Sequence, residues 1–123
     1  MRRYSVIIYY VLAWAFLASL FAQVFLAGLA VFDNGDWSMH RSFIHVFEYF
    51  PVLMVVFGLL GRLGWLTVTL SAVLYLLIVF QYISVDLSAR ALAAVHPVTA
   101  LLLLWATTVL LRRSNPWRTG SAR

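Results

Sequence analysis

Four long apolar stretches, separated by short polar breaks, constrain this chain more than any other feature of its sequence. They cover about residues 4–32, 42–60, 65–83 and 91–111. A helix needs about 20 apolar residues to cross the hydrocarbon core of a bilayer, and each stretch is close to or above that length. In lipid, a backbone satisfies its hydrogen bonds only in helices or closed barrels. The sequence therefore predicts an all-α transmembrane protein with four crossings.

The composition supports this class. Of the 123 residues, 64% are hydrophobic and 11% are charged, whereas about a quarter of the residues of a soluble domain are charged. The first stretch exceeds the roughly 7–15 apolar residues of a cleaved signal peptide, so we expect it to be retained as an anchor. The chain has no cysteine, which excludes disulfides, thiolate zinc sites, iron–sulfur clusters and covalently attached c-type haem.

The breaks are short enough to join neighbouring helices in an antiparallel arrangement. Residues 61–64 allow only a tight reversal, and turn-forming residues occupy 33–38 and 84–90. We expect a single transmembrane domain, an antiparallel four-helix bundle with a basic tail at 112–123. Small residues let helices approach closely in lipid. The candidates for such contacts are Ala18, Ala22, Ala27, Gly28, Ala93, Ala94 and Ala100.

The nine basic residues are all arginines, and they determine the expected orientation. Seven lie on one side of a four-crossing arrangement, whereas Arg41 and Arg90 lie on the other. Because arginine accumulates in cytoplasmic loops, we expect both termini in the cytoplasm and a multi-pass protein of the bacterial inner membrane. Topology and contact with anionic lipid account for the net charge of +5, so we expect no nucleic-acid partner.

Two histidines form the candidate functional site, because ionisable residues inside a membrane span are costly and usually functional. His45 lies about 6 Å inside Arg41 and His96 about 9 Å inside Arg90, at about 1.5 Å per residue. Two imidazoles at similar depth on facing helices suit the two axial positions of one haem iron. The sequence thus predicts His45 and His96 as metal ligands of a b-type haem, with Arg41 and Arg90 able to bind its propionates.

His40 and Glu48 belong to the same candidate site. His40 precedes His45 by five residues, so on a regular helix the two side chains diverge by about 140° and cannot both reach one iron. His40 is then an interface histidine or a propionate partner, unless the second helix begins after Ser42, when His40 and His96 would form the pair. Glu48 shares a helix face with His45, and either orients its ring or carries protons.

Pro51 and Pro97 predict breaks in the second and fourth helices. Each proline removes the backbone hydrogen bond to a carbonyl four residues earlier. Backbone opened at membrane depth needs a protein partner or lines a cavity, so we expect either a pocket beside the histidines or two ordinary kinks. The remaining polar side chains in the spans should hydrogen-bond between helices. They are Gln23, Ser71, Tyr75, Gln81, Tyr82, Thr99, Thr107 and Thr108.

Several short motifs resemble a family of small bacterial four-helix membrane proteins of unknown function. They are FLAGLAVF at 25–32, WSMHR at 37–41 and VHPV at 95–98. The resemblance covers most of residues 20–111 and implies the fold and a bacterial cytoplasmic membrane, but no activity. The paired histidines also resemble the four-helix b-type haem domains of haem A synthase and membrane cytochromes b. That resemblance implies at most one haem, because the second histidine pair of the two-haem members is missing.

Three functions are compatible with the sequence. The protein binds one b-type haem near the outer leaflet for electron transfer or haem handling, or it is a cofactor-free accessory subunit, or it binds a small molecule or lipid. An accessory role implies a larger membrane complex or a homo-oligomer as partner. Because the sequence shows no phosphate-binding glycine loop and no nucleophile with an evident base, nothing in it requires an enzyme.

Overall fold

The chain folds into helices throughout the part that the structure describes. This computed structural model describes residues 1–33, 35–86 and 90–118, except for the side chains of Arg90 and Leu92. The elements are α1 (Arg2–Phe32), α2 (Ser38–Phe47), α3 (Phe50–Gly61), α4 (Trp65–Asp86), α5 (Arg90–Ala93) and α6 (His96–Ser114). Since α2 and α3 form one interrupted helix, and α5 and α6 another, there are four helices in all. The predicted all-α fold is confirmed.

Three of the helices have the dimensions of membrane spans. Within the described residues, α1, the α2–α3 helix and α4 are long and apolar enough to cross a membrane. The last helix is less apolar, because the 19 residues of α6 include Arg112 and Arg113 in its final turn. The protein is therefore a helical membrane protein in which three helices have the length and composition of spans, and the fourth crossing stays a prediction.

The two helix interruptions lie beside Pro51 and Pro97, where the sequence predicts them. Residues 48–49 separate α2 from α3, and Pro51 lies in the first turn of α3. Residues 94–95 separate α5 from α6, and Pro97 lies in the first turn of α6. Proline is accepted there because backbone N–H groups in a first turn have no helical partner. In both helices the chain stops and restarts at the proline.

The helices form a closed ring. The first helix packs against α3 and α6, and α4 packs against the same two elements from the other side, while α2 packs on α1. Large side chains from all four helices fill the centre of the ring. Those fully buried there are Tyr9, Phe16, Phe47, Met54, Leu74, Ile78 and Leu110.

The two ends of the bundle differ in chemistry. At one end the start of α1 meets the end of α3, where Arg2 Nε donates to the Gly61 carbonyl (3.3 Å). The residues after α6 arrive at the same end, because the Trp117 ring contacts Tyr10 edge-on. We call this the arginine end. Its described arginines are Arg2, Arg3, Arg62, Arg112, Arg113 and Arg118.

We call the opposite end the histidine end. It contains the last part of α1, the start of α2, the last part of α4 and the start of α6, as the contacts between Gln23 and His40 and between Gln81 and His96 show. All four acidic residues belong to this half of the bundle or its loops. They are Asp33, Asp36, Glu48 and Asp86.

A buried hydrogen bond joins α1 to α4 through the centre of the bundle. The Ser71 hydroxyl donates to the Thr67 carbonyl (2.9 Å), so the Tyr9 hydroxyl donates to Ser71 Oγ (2.8 Å). Gly58 of α3 makes room for the Tyr9 ring. A Cβ added at Gly58 would lie 3.4 Å from a ring carbon of Tyr9 and 3.3 Å from Val68 Cγ2.

Small residues do mark helix contacts, but not mainly those predicted. Ala18, Ala93 and Ala94 are exposed, and a Cβ added at Gly28 would have nothing within 4 Å. The others, Ala22, Ala27 and Ala100, are half-buried. The buried stripe of α1 instead follows Tyr9, Ala13, Phe16 and Leu20, and Ala18 faces away from it. The small residues buried in helix contacts are Ala13, Ala30, Gly58, Gly61 and Ala106.

Replacing Gly58 with Leu should destabilise the bundle by about 1–3 kcal/mol, because the added side chain collides with Tyr9 and Val68. Gly28→Leu is the matched control, in which the same side chain enters open space within a helix, and its effect should stay within about 0.5 kcal/mol. Unfolding in SDS, followed by circular dichroism, measures both. Equal destabilisation by the two variants would contradict the close contact at Gly58.

Candidate functional site

His40 turns inward from the first turn of α2 and is held by Gln23 of α1. The His40 Nδ1–H donates to the Gln23 backbone carbonyl (3.1 Å), since a carbonyl only accepts. The Gln23 side-chain nitrogen donates to the His40 carbonyl (2.8 Å) and lies 3.5 Å from His40 Nε2. These contacts select the neutral tautomer of His40 that carries its proton on Nδ1 and leaves Nε2 as an acceptor.

His96 starts α6 and is held in a similar way by Gln81 of α4. The two hydrogens of the Gln81 amide nitrogen are shared among His96 Nδ1 (2.6 Å), Thr99 Oγ1 (2.9 Å) and the His96 carbonyl (3.1 Å), while the amide oxygen accepts from the Ala100 N–H (3.2 Å). The Thr99 hydroxyl also donates to the His96 carbonyl (2.9 Å). Because Nδ1 of His96 is an acceptor, the neutral ring carries its proton on Nε2.

The two glutamine–histidine pairs meet inside the histidine end. The rings of His40 and His96 have centroids 6.3 Å apart and planes inclined by 60°. We call Gln23, His40, Gln81 and His96 the histidine cluster. It takes one polar side chain from each of the four helices, and in both pairs one amide serves the ring and the carbonyl of the same histidine. The cluster therefore links the whole bundle at this depth.

One atom of the histidine cluster has no partner. The side-chain oxygen of Gln23 is buried and accepts no hydrogen bond from the described residues. A buried acceptor without a donor is unfavourable by about 1–3 kcal/mol. The cluster is thus complete on the Gln81 side and incomplete on the Gln23 side, next to His40.

His45 and Glu48 lie on a different face of α2 and form a separate surface group. Nδ1 of His45 lies 3.1 Å from one Glu48 oxygen, and the Tyr82 hydroxyl donates to the other (2.6 Å). The His45 side chain is 66% exposed. The structure therefore pairs His96 with His40 and not with His45, which corrects the predicted arrangement. Glu48 contacts the His45 ring, and its two expected roles, orienting that ring or carrying protons, stay predictions.

Helical periodicity contained the signal that identifies His40 as the inward residue. Phe47 is fully buried and Phe43 packs on the core, and His40 precedes them by seven and three residues on one helix face. His45 lies only two residues before Phe47, about 200° around the helix. His40 and His45 diverge on the helix as predicted. The sequence tied a His40–His96 pair to a second helix that begins after Ser42, whereas α2 begins at Ser38 and His40 faces His96 nonetheless. Depth in the membrane alone selected the wrong member of the pair.

The remaining predicted site residues lie at the margin of this region. Arg41 is exposed. Hydrogen bonds from the Ser38 backbone and hydroxyl hold the pKa of the Asp36 carboxyl below its ordinary value, and the positive charge of Arg41 lowers that pKa further. The Arg90 side chain lies outside the described residues. Two clefts of the described residues, about 240 and 280 Å³, lie at the arginine end. A pocket beside the histidines, one of the two expectations drawn from the prolines, stays a prediction.

Fold and cluster define a multi-pass helical membrane protein with a layer of paired glutamines and histidines in its interior. Residues 23–89 match a family of unknown function (DUF6220), and because they make up more than half of the chain, the protein belongs to this family. The matched segment begins at Gln23, contains His40 and Gln81, and ends before His96. No curated protein and no solved structure matches the chain, so function is argued from the site.

The hydrogen bonds of the cluster predict opposite tautomers for its two rings. Nitrogen-15 NMR of the imidazoles in a histidine-labelled sample should show His40 protonated on Nδ1 and His96 on Nε2, because their Nδ1 atoms face an acceptor and a donor respectively. Replacing Gln81 with Leu should alter the His96 resonances and leave those of His45 unchanged. Identical tautomers at His40 and His96 in the wild-type protein would contradict the described network.

Proposed function

We propose that the protein binds one b-type haem between His40 and His96, for electron transfer or haem handling. The separation of the rings carries this proposal. The two rings come from different helices and have centroids 6.3 Å apart, so His40 and His96 would hold the haem iron between them.

His40 has the hydrogen bonding of an axial ligand. Its Nδ1–H bond to a backbone carbonyl orients the ring, as in most metal-binding histidines, and iron at Nε2 would replace the contact of the Gln23 amide nitrogen at 3.5 Å. No three His, Cys, Asp or Glu residues of the described chain gather around one point. A site with two protein ligands suits haem, whose porphyrin fills the other four positions of the iron and which supplies one-electron chemistry. Arg41, one residue after His40, is suited to a propionate.

His96 needs one side-chain rearrangement to act as the second ligand. Ligation through Nε2 places the ring proton on Nδ1, which in the structure accepts from the Gln81 amide nitrogen. A half-turn of that amide presents its oxygen to the Nδ1 proton instead, since glutamine offers both a donor and an acceptor. The same half-turn gives up the bond from the Ala100 N–H to the amide oxygen. Gln81 would then select the ligating tautomer.

A cofactor-free accessory subunit is the second candidate, and the hydrogen bonds between the helices favour it. The Gln23 and Gln81 amides each reach a histidine on another helix. The histidine cluster would then be a polar link that fixes the rotation of four helices, with interhelical hydrogen bonds of about 0.6 kcal/mol each. The protein would present its exposed aromatic surface to a larger membrane complex or to further copies of itself.

Optical absorption separates the two functions. Protein purified in detergent from haem-replete cells should show a low-spin Soret band, and His40→Ala and His96→Ala should each abolish the low-spin signature by removing one axial nitrogen. His45→Ala is the matched control and should retain it, because His45 lies outside the cluster. A wild-type protein without Soret absorption rejects haem binding and leaves the accessory function. Loss of the band in His45→Ala alone would reject the ligand pair.

We also propose that the arginine end faces the cytoplasm of a bacterial inner membrane, with both termini on that side. The positive-inside rule supports this orientation, since six described arginines lie at that end. A fourth crossing by α5 and α6 is part of the proposal. It is supported by the path of α6, which begins beside Gln81 at the histidine end and leads to Trp117 beside Tyr10 at the arginine end.

Reporter fusions test this topology. Alkaline phosphatase should be inactive when fused after Arg118 and active when inserted at Gly35, because the enzyme folds only outside the cytoplasm. A fluorescent protein fused after Arg118 should give the complementary result. Phosphatase activity at Arg118 would show that the last helix fails to cross or that the whole bundle is inverted, and activity at Gly35 distinguishes these two cases.

A further inference from the structure

A cleft at the arginine end is built from α1 and the last part of the chain. It has a volume of about 280 Å³. Two of its lining residues, Leu17 and Leu111, are buried and form an apolar floor. Arg112 and Arg118 lie at its polar side, in the last turn of α6 and just beyond it. The aromatic rings of Tyr10 and Trp14 complete the wall on α1.

A turn after α6 brings the second arginine to the cleft. The Trp117 N–H donates to the Asn115 side-chain oxygen (2.9 Å), and the Arg118 N–H donates to the Asn115 carbonyl (3.3 Å). The folded segment is anchored on α1, where the Trp117 ring packs edge-on against Tyr10 with centroids 5.4 Å apart. Arg118 is thereby held on the same cleft as Arg112, although five residues lie between them in the sequence.

The two guanidinium groups lack a counter-charge among the described residues. Neither Arg112 nor Arg118 forms an ion pair with the described residues, whose one salt bridge joins His45 to Glu48. No acidic residue lines the cleft, and all four acids lie in the other half of the bundle. Guanidinium groups bind phosphate oxygens through paired hydrogen bonds, so the cleft has the charge and the donors for a phosphate.

We propose that this cleft binds an anionic phospholipid, with its phosphate on Arg112 and Arg118. The depth of the lining residues selects a lipid over a soluble phosphate. Trp14 and Leu17 follow Tyr10 by four and seven residues, which places them about 6 Å and 10 Å deeper along α1. The cleft therefore continues from the head-group level along exposed Trp14 towards the hydrocarbon, where an acyl chain lies. Tyr10 and Trp117 occupy the level at which aromatic residues meet lipid head groups.

Native mass spectrometry of the full chain with added phosphatidylglycerol or phosphatidylcholine tests the proposal. The wild-type protein should bind phosphatidylglycerol more tightly than phosphatidylcholine. In the double variant Arg112→Gln/Arg118→Gln, the ratio of these two affinities should fall about tenfold. The matched control is Arg3→Gln/Arg113→Gln, which removes the same charge at the same end from residues outside the cleft. It should change the preference by less than about twofold.

Each other outcome contradicts the proposal. Equal loss in the two double variants would mean that the lipids respond to the general charge of the arginine end. No preference for phosphatidylglycerol in the wild-type protein would reject an anionic lipid site. Displacement of the bound lipid by millimolar glycerol phosphate would show that the cleft recognises a soluble phosphate, without a contribution from the acyl chain.

Discussion

A polar group in a bilayer finds hydrogen-bond partners only within the protein, and the arrangement at the histidine end follows from this constraint. The chain restarts its helix at His96, where Pro97 removes a backbone donor. The carbonyl of His96 is satisfied by the Gln81 amide and the Thr99 hydroxyl. Gln23 supplies a similar amide to the His40 carbonyl. Gln23 and Gln81, on uninterrupted helices, thus hydrogen-bond His40 and His96, on interrupted helices. The two histidine rings meet between the glutamines.

Much of the fold is readable from the sequence because it depends on local properties. The length of each apolar stretch determines the helices, and Pro51 and Pro97 determine where two of them are interrupted. The polar residues Gln23, Ser71 and Gln81 also face inward as expected. The rotation of each helix about its own axis is harder to predict from the sequence, because it depends on how whole helix faces pack against one another. Ala18 and Gly28 therefore lie outside the helix contacts expected of them, and His40 faces inward in place of His45, in agreement with its spacing to Phe43 and Phe47.

The separation of charge along the bundle gives its two ends different chemistry. Among the described residues, the arginine end has cations without carboxylate partners, and two clefts lie there. The histidine end has two imidazoles held by glutamine amides, and the acidic residues lie in the same half of the bundle. Between them, the bond from Tyr9 to Ser71 and the space left by Gly58 fix the crossing of the helices. The histidine cluster and the cleft of Arg112 and Arg118 therefore depend on the same core, although they share no residue.

The central claim is that His40, and not His45, faces His96. The absence of cysteine makes cross-linking the most direct measurement, since any pair of introduced thiols is unique. In native membranes, a short bifunctional thiol reagent should cross-link helices in the His40→Cys/His96→Cys variant and not in His45→Cys/His96→Cys. Cleavage at an engineered protease site between α3 and α4 makes the product visible as an uncut band on a gel. Cross-linking confined to the His45 variant would contradict the account.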